Sequence, residues 1–210
     1  MIRVLIADDH AVVRRGVRQI LEETSDIEVA GEAATAGELW SKVLEGRFDA
    51  VVLDVNIPGR SGLELLGDIK RERPELPVLI LTVHSEEQYA VRALKAGASG
   101  FLTKESAPEK LVDAVRRIAE GRRFITPEVA EKLASSVARG DTGPLHEALS
   151  DREFQILKMI ASGKTVSQIG RELALSVKTI STHRTRILKK MNLKTNSELT
   201  HYAMTNGLME

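Results

Sequence analysis

The sequence predicts an α/β chain in two parts: a doubly wound five-stranded parallel sheet joined to a small all-α domain. Three observations carry this expectation. Over the first 120 residues, five short and almost continuously apolar runs alternate with helix-length segments, as in a sheet buried on both faces. After Ser150 no strand pattern remains. The charge also changes sign there. The whole chain carries 30 basic and 30 acidic residues, but residues 1–149 hold 20 against 25, a balance of −5, and residues 150–210 hold 10 against 5, a balance of +5. Overall neutrality speaks against a nucleic-acid partner, whereas a separate basic part speaks for one. A length of 210 residues accommodates two small domains at roughly 100–200 residues each.

The strands are expected at Ile2–Ala7, Ile27–Ala30, Ala50–Leu53, Val78–Leu81 and Gly100–Leu102. Helices are expected at about 10–23, 35–46, 61–73, 86–96 and 108–120. Thr35-Ala-Gly-Glu38 and Ser106-Ala-Pro-Glu109 match the capping box, the second with a proline early in its helix. Gly97 and Gly121 fall where left-handed helix ends are expected.

Thr126-Pro-Glu starts a short helix expected to reach Ala138, and Gly140-Asp-Thr-Gly-Pro144 has the composition of a flexible connection. The domain boundaries read as 1–121, a linker at 122–148 containing a short helix, and 149–210. Four helix starts follow at Ser150-Asp-Arg-Glu153, Thr165-Val-Ser-Gln168, Ser176 and Thr195-Asn-Ser-Glu198, with Gly163 and Gly207 at helix ends.

Composition excludes several chemistries. Zero cysteines remove disulfides, thiol nucleophiles and thiolate metal sites, and suit a reducing cytoplasmic location. No apolar run approaches the ~18–20 residues that span a membrane, and the apolar run Val4–Ala7 ends in two acids, unlike a signal peptide.

In an open α/β sheet, ligands gather at the carboxyl edge. The strand ends deliver Asp8 and Asp9, then Asp54, Thr82 and Lys104. Acids after strands also serve as ordinary helix caps. Caps require neither the lysine nor the sequence Val55-Asn56-Ile57-Pro58-Gly59 after Asp54. Three converging carboxylates need a cation, and oxygen-only ligands favour Mg²⁺ over zinc. One carboxylate is then available as a nucleophile towards a phosphoryl group, with Lys104 and the Thr82 hydroxyl facing the phosphoryl oxygens.

These residues resemble the receiver domain of two-component response regulators. The match lies in Leu5-Ile-Ala-Asp-Asp-His10, LDVNIPGRSG at 53–62, LTVHS at 81–85 and GASGFLTKE at 97–105. The resemblance implies a flavodoxin-like fold, with Asp54 as acceptor of a phosphoryl group from a sensor histidine kinase. It further implies Asp9 and Asp54 as direct Mg²⁺ ligands, Asp8 mainly through water and Asn56 through its backbone carbonyl. Thr82 and Phe101 would form the switch pair, with phenylalanine lacking the hydroxyl of the tyrosine found in some relatives. His84 reads as a loop residue and His10 as a helix-start residue. Such a receiver promotes only its own phosphorylation and dephosphorylation and is not otherwise an enzyme. A Mg²⁺-dependent phosphatase with an aspartyl nucleophile is the rival reading, but such enzymes usually present Asp-x-Asp where Asn56 stands here. A third is an interaction module that needs no phosphorylation.

In the basic part, the helix Val177–Met191 separates into two faces. Ile180, Ile187, Leu188 and Met191 line one side; Lys178, Ser181, Thr182, Thr185 and Lys189 line the other. A shorter helix at 165–173 and the turn Ala174-Leu175-Ser176 precede it, which reads as a helix-turn-helix. Lys178, Lys189, Lys190 and Lys194 suit phosphates; Ser181, Thr182 and Thr185 suit base edges, and Arg186 either. His183 and Arg184 lie nearer the packed side. The segment LSDREFQILKMIASGKTVSQIGRELALSVKTISTHRTRILKKMNLKTNSEL, residues 149–199, resembles the LuxR-type helix-turn-helix of the NarL/FixJ subfamily. The resemblance implies double-stranded promoter DNA as ligand and a homodimer when active. Leu199, Tyr202 and Ala203 give the last helix a partly apolar face, which dimerisation or core packing would explain equally.

Overall fold

The computed structural model describes the chain apart from residues 58–59, 84–86, 128, 132–133, 135–143 and 209–210, and apart from the side chains of residues 87 and 88. It divides into two compact units, Met1–Ala138 and Arg139–Glu210.

The first unit is built on five parallel strands: β1 (Ile2–Ala7), β2 (Ile27–Ala33), β3 (Ala50–Asp54), β6 (Val78–Thr82) and β7 (Gly100–Thr103), in the spatial order β2-β1-β3-β6-β7. β3 and β6 lie inside the sheet between β1 and β7 and are wholly buried, which is why they read as largely apolar runs. Alternation along the strands sends Val4, Ile6, Val52, Leu79 and Leu81 to one face. There they pack against Val17 and Leu21 of α1 (Ala11–Glu22) and Leu111, Val115 and Ile118 of α5 (Ala107–Ala119). The unit also holds helices α2 (Ala36–Glu45), α3 (Gly62–Glu72) and α4 (Glu87–Lys95).

The expected five-stranded α/β architecture is present, with local differences. Strand β2 runs on to Ala33, past the expected end at Ala30. Gly31 and Glu32 continue the pairing with Leu5 and Ile6 after a register shift at Val4/Leu5. A short antiparallel hairpin, β4 (Asn56–Ile57) with β5 (Arg60–Ser61), follows β3 and was not expected. The capping box expected at Ser106 does not form. Ser106 has helical backbone angles, makes no cap bond, and donates its hydroxyl to the Thr103 carbonyl. Thr35 does cap α2, accepting from the Glu38 N–H. Phe124 forms a bridge with Gly100 at the sheet edge. Of the helix expected at 126–138, Pro127, Val129–Glu131 and Ala134 are described and helical. The rest of it, and the connection up to residue 143, lie outside the described residues.

In the second unit a 3₁₀ turn (Leu145–Ala148), also unforeseen, leads into α6 (Asp151–Ala161), α7 (Val166–Glu172), α8 (Val177–Lys190) and α9 (Asn196–Thr205). Ser150 and Thr165 form full capping boxes, and Ser176 and Thr195 cap through their side chains. The core gathers Phe154, Ile156, Leu157, Ile169, Ile180, Ile187, Met191, Leu199, Ala203 and Leu208. Among the described residues no helix is long and apolar enough to cross a membrane.

Candidate functional site

Parallel pairing sets Ala7 beside Leu53 and Asp54 beside Leu81, so the residues that end β1, β3 and β6 share one edge of the sheet. Asp8, Asp54 and Thr82 are each at most 3% exposed. β7 brings the fourth group: the Lys104 N–H donates to the Thr82 carbonyl at 2.7 Å, and its ammonium donates to Asp54 Oδ2 at 2.8 Å. The same ammonium lies 2.6 Å from Asp8 Oδ2, although off the angle of a hydrogen bond. Asp54 Oδ1 accepts from the Asn56 N–H at 3.2 Å, an Asx turn that fixes the carboxylate plane. Behind it, Gly62 passes so close that a Cβ there would lie 2.3 Å from the Asp54 carbonyl oxygen. Phe101, on the neighbouring strand β7, is buried.

Burial pushes the Asp54 carboxyl above the ordinary aspartate value, with Asp8 adding to it and Lys104 opposing. Burial works against the Lys104 charge, yet the two carboxylates hold its pKa above the usual lysine value. The site is therefore a desolvated anion cluster only partly offset by one cation.

Asp8, Asp9, His10 and Asp54 each offer a ligand atom, all within 4.8 Å of one another. Asp8 Oδ2 and Asp9 Oδ1 are buried acceptors with no donor in hydrogen-bonding geometry. Three converging carboxylates, two of them with an oxygen that lacks a hydrogen-bond donor, fit a hard divalent cation. His10 is the N-terminal boundary residue of α1, as expected, but makes no side-chain cap. Its Nδ1 instead lies 2.7 Å from Asp9 Oδ1. His84 lies outside the described residues.

The second unit presents the other candidate surface. Gly170 lets α7 turn tightly into α8, since a Cβ there would meet the Leu175 carbonyl oxygen at 2.8 Å. Helix α8 buries Ile180, Ile187 and Leu188 and exposes Lys178, Ser181, Thr182, Thr185, Arg186 and Lys189 on one outer face. Thr182 and Thr185 donate their hydroxyls to the carbonyls of Lys178 and Ser181, which leaves each with an acceptor oxygen and a methyl group outward. Lys194 is exposed just beyond the helix. Lys190 is engaged differently from the other lysines: its ammonium lies 2.6 Å from the buried Glu153, which also accepts from the Ser150 N–H. Although burial works the other way, Lys190 and Ser150 hold Glu153 below the ordinary glutamate value. Arg184, unexplained from sequence, donates to Asn196 Oδ1 at 2.6 Å and ties α8 to α9. Leu199 and Ala203 are fully buried within the unit, and the Tyr202 hydroxyl lies 3.0 Å from His146 Nδ1. Core packing accounts for the apolar face of α9.

Comparison with known proteins bears on both units. Residues 4–116 match the family model described as response regulator receiver domain, and residues 147–203 match the one for bacterial regulatory proteins of the luxR family. The chain is 38% identical over 209 residues to response regulator UvrY of Escherichia coli strain K12, covering 99% of this chain and 96% of that protein. Among solved structures it is similar to RcsB from Salmonella enterica serovar Typhimurium bound to promoter rprA in the presence of the phosphomimetic BeF3-. That match has a TM-score of 0.64 at 25% identity and covers 96% of this chain and 97% of the other. It is also similar to a structure of two RcsB dimers bound to two parallel DNAs, with a TM-score of 0.59 at 27% identity, covering 97% and 98%.

Proposed function

Because this chain belongs to the response regulators that join a receiver domain to a LuxR-type DNA-binding domain, and so to the phosphorylation-dependent transcription regulators, we propose that Asp54 is its phosphoryl acceptor and α8 its reader of promoter DNA. The observation that carries the reading is the Lys104 ammonium held between Asp8 and Asp54 at the buried sheet edge. In the proposed division, residues 1–121 are the receiver, 122–148 the linker and 149–210 the reader, acting in the cytoplasm.

The donor is a phosphohistidine on a sensor kinase. An Asp54 carboxylate oxygen attacks phosphorus, the phosphorus–nitrogen bond breaks, and the imidazole leaves with its electron pair. Asp8, Asp9, Asp54 and the Asn56 carbonyl would hold Mg²⁺, which when bound neutralises charge on the phosphoryl oxygens. Lys104 then passes from the carboxylate to a phosphoryl oxygen, and the Thr82 hydroxyl donates to another. Movement of Thr82 towards the phosphoryl group vacates space beside β7, and the Phe101 ring turns with it. The altered edge is the two-state element that phosphorylation biases.

Lys178, Lys189 and Lys194 contact DNA phosphates, Arg186 a phosphate or a base, and Ser181, Thr182 and Thr185 base edges. Lys190 braces the helix through Glu153 rather than meeting DNA first. The active form is a homodimer, a reading supported by the RcsB dimers on DNA. Beyond its own phosphorylation and dephosphorylation the chain has no enzymatic role. The test is to incubate the full chain and its Asp54→Ala variant with a labelled phosphodonor and Mg²⁺, then titrate promoter fragments. Label on the wild type alone, with tighter DNA binding after labelling, is expected. Label retained by Asp54→Ala would sink the acceptor assignment.

A further inference from the structure

The acidic pair Asp8–Asp9 sits on the loop between β1 and α1, and something must hold that loop against the mutual repulsion of its carboxylates. The Asp8 peptide is gripped on both sides from the end of β2. Its N–H donates to the Ala33 carbonyl at 3.1 Å. Its carbonyl accepts from Arg14 Nη1 at 2.8 Å, while Arg14 Nε donates to Glu32 Oε2 at 3.1 Å. The other Glu32 oxygen accepts from Arg18 Nε at 2.8 Å, and Arg18 also reaches Glu22. The Arg14 side chain is only 17% exposed, so this arrangement is screened less than a surface pair. Arg18 first and Arg14 next hold the Glu32 carboxyl below its ordinary value.

The consequence reaches the side chains through the backbone. Asp8 Oδ1 accepts the His10 N–H at 2.8 Å, so the Asp8–His10 turn moves as one piece with the carbonyl that Arg14 holds. A guanidinium spans the two acceptors with a rigid fork, which a lysine ammonium cannot reproduce. We propose that Arg14, anchored by Glu32, is a positioning residue that sets the Asp8–Asp9 loop for binding a divalent cation. The proposal rests on the reading of the acidic pocket as a Mg²⁺ site and adds to it a residue that touches neither metal nor phosphoryl group.

The test is calorimetric titration of MgCl2 into the full chain without phosphodonor, beside the thermal midpoint of each metal-free protein. Arg14→Met is expected to weaken Mg²⁺ binding by about tenfold, at the lower end for partners that orient metal ligands. Glu32→Gln should weaken it in the same direction by a smaller factor, and Arg14→Lys should recover only part of the loss. With saturating Mg²⁺ the phosphorylation rate of Arg14→Met should return close to that of the wild type. A role confined to tying α1 to β2 would lower the thermal midpoint and leave Mg²⁺ affinity within about twofold, which overturns the proposal. If Arg14→Met does not fold, Glu32→Gln and Arg14→Lys decide by the same limit. A wild-type chain that binds no Mg²⁺ would instead overturn the pocket reading, and this role with it.

Discussion

The Lys104 ammonium lies 2.8 Å from Asp54 Oδ2 and supplies the only positive charge among the described partners of that carboxylate. Lys104→Met therefore leaves Asp8 and Asp54 facing each other in a desolvated edge. Removing one partner of a buried pair costs about 3 kcal/mol, and urea unfolding in metal-free buffer should show a loss of that order. Mg²⁺ should stabilise the variant more than the wild type, because a cation replaces the missing one. Equal stabilisation of both proteins would contradict this.

Gly62 constrains the acceptor from behind. A Cβ at this position would fall 2.3 Å from the Asp54 carbonyl oxygen and 2.7 Å from the Val55 Cα, both backbone atoms with little room to yield. Gly62→Ala should keep its far-ultraviolet circular dichroism yet be phosphorylated roughly 10²-fold more slowly, as expected of a reacting group displaced by about an ångström. An unchanged rate would show that the strand end adjusts without moving the carboxylate.

Adjacent lysines on α8 should behave differently on DNA. Both are exposed, but the Lys190 ammonium is paired with Glu153. Lys189→Ala is expected to reduce the slope of log affinity against log salt by about one. Lys190→Ala should leave that slope unchanged and lower the stability of residues 139–210 by up to about 1 kcal/mol, since the Lys190 side chain is partly exposed and Glu153 keeps the Ser150 N–H. The same reduction of slope in both variants would contradict the distinction.

Asp26 accepts two hydrogen bonds from Arg116, at 2.8 and 2.7 Å, and these bonds lower its pKa from 3.8 to about 2. The folded value lies below the unfolded one. The pair therefore adds stability above the unfolded value of 3.8, and that contribution is lost as pH falls through about 2. Carboxyl-carbon NMR should follow Asp26 near 2 in the wild type and nearer 3.8 in Arg116→Met. A titration unmoved by that substitution would contradict the assignment.

The strand-to-helix alternation was legible because buried strands must be apolar and helix ends need caps. Ser150, Thr165 and Thr195 show the caps at their expected positions. Ser106 carries the same pattern without the cap, because its backbone is helical where the capping residues are extended, which takes its hydroxyl away from the first-turn N–H groups. The end of β2 was missed since Gly31 and Glu32 break the apolar run, although Glu32 is polar for a reason: it anchors Arg14 and Arg18. The strand-end residues stood out as a set because a parallel sheet collects them at one edge. Arg14, the pairing of Glu153 with Lys190 and the role of Arg184 did not stand out. Each acts through a partner 12 to 37 residues away, and nothing in local spacing announces such pairs.

The order β2-β1-β3-β6-β7 sets a timetable for a chain made from its N-terminus. The strands β1 and β3 are both complete once residue 54 has emerged from the ribosome, and their pairing brings Asp8 and Asp54 to one edge. Their counter-charge stands 50 residues further on, at the end of β7. During that interval the nascent sheet carries opposed acids and an uncovered flank, so free divalent cations in the surrounding solution would ease its assembly before any phosphoryl group arrives.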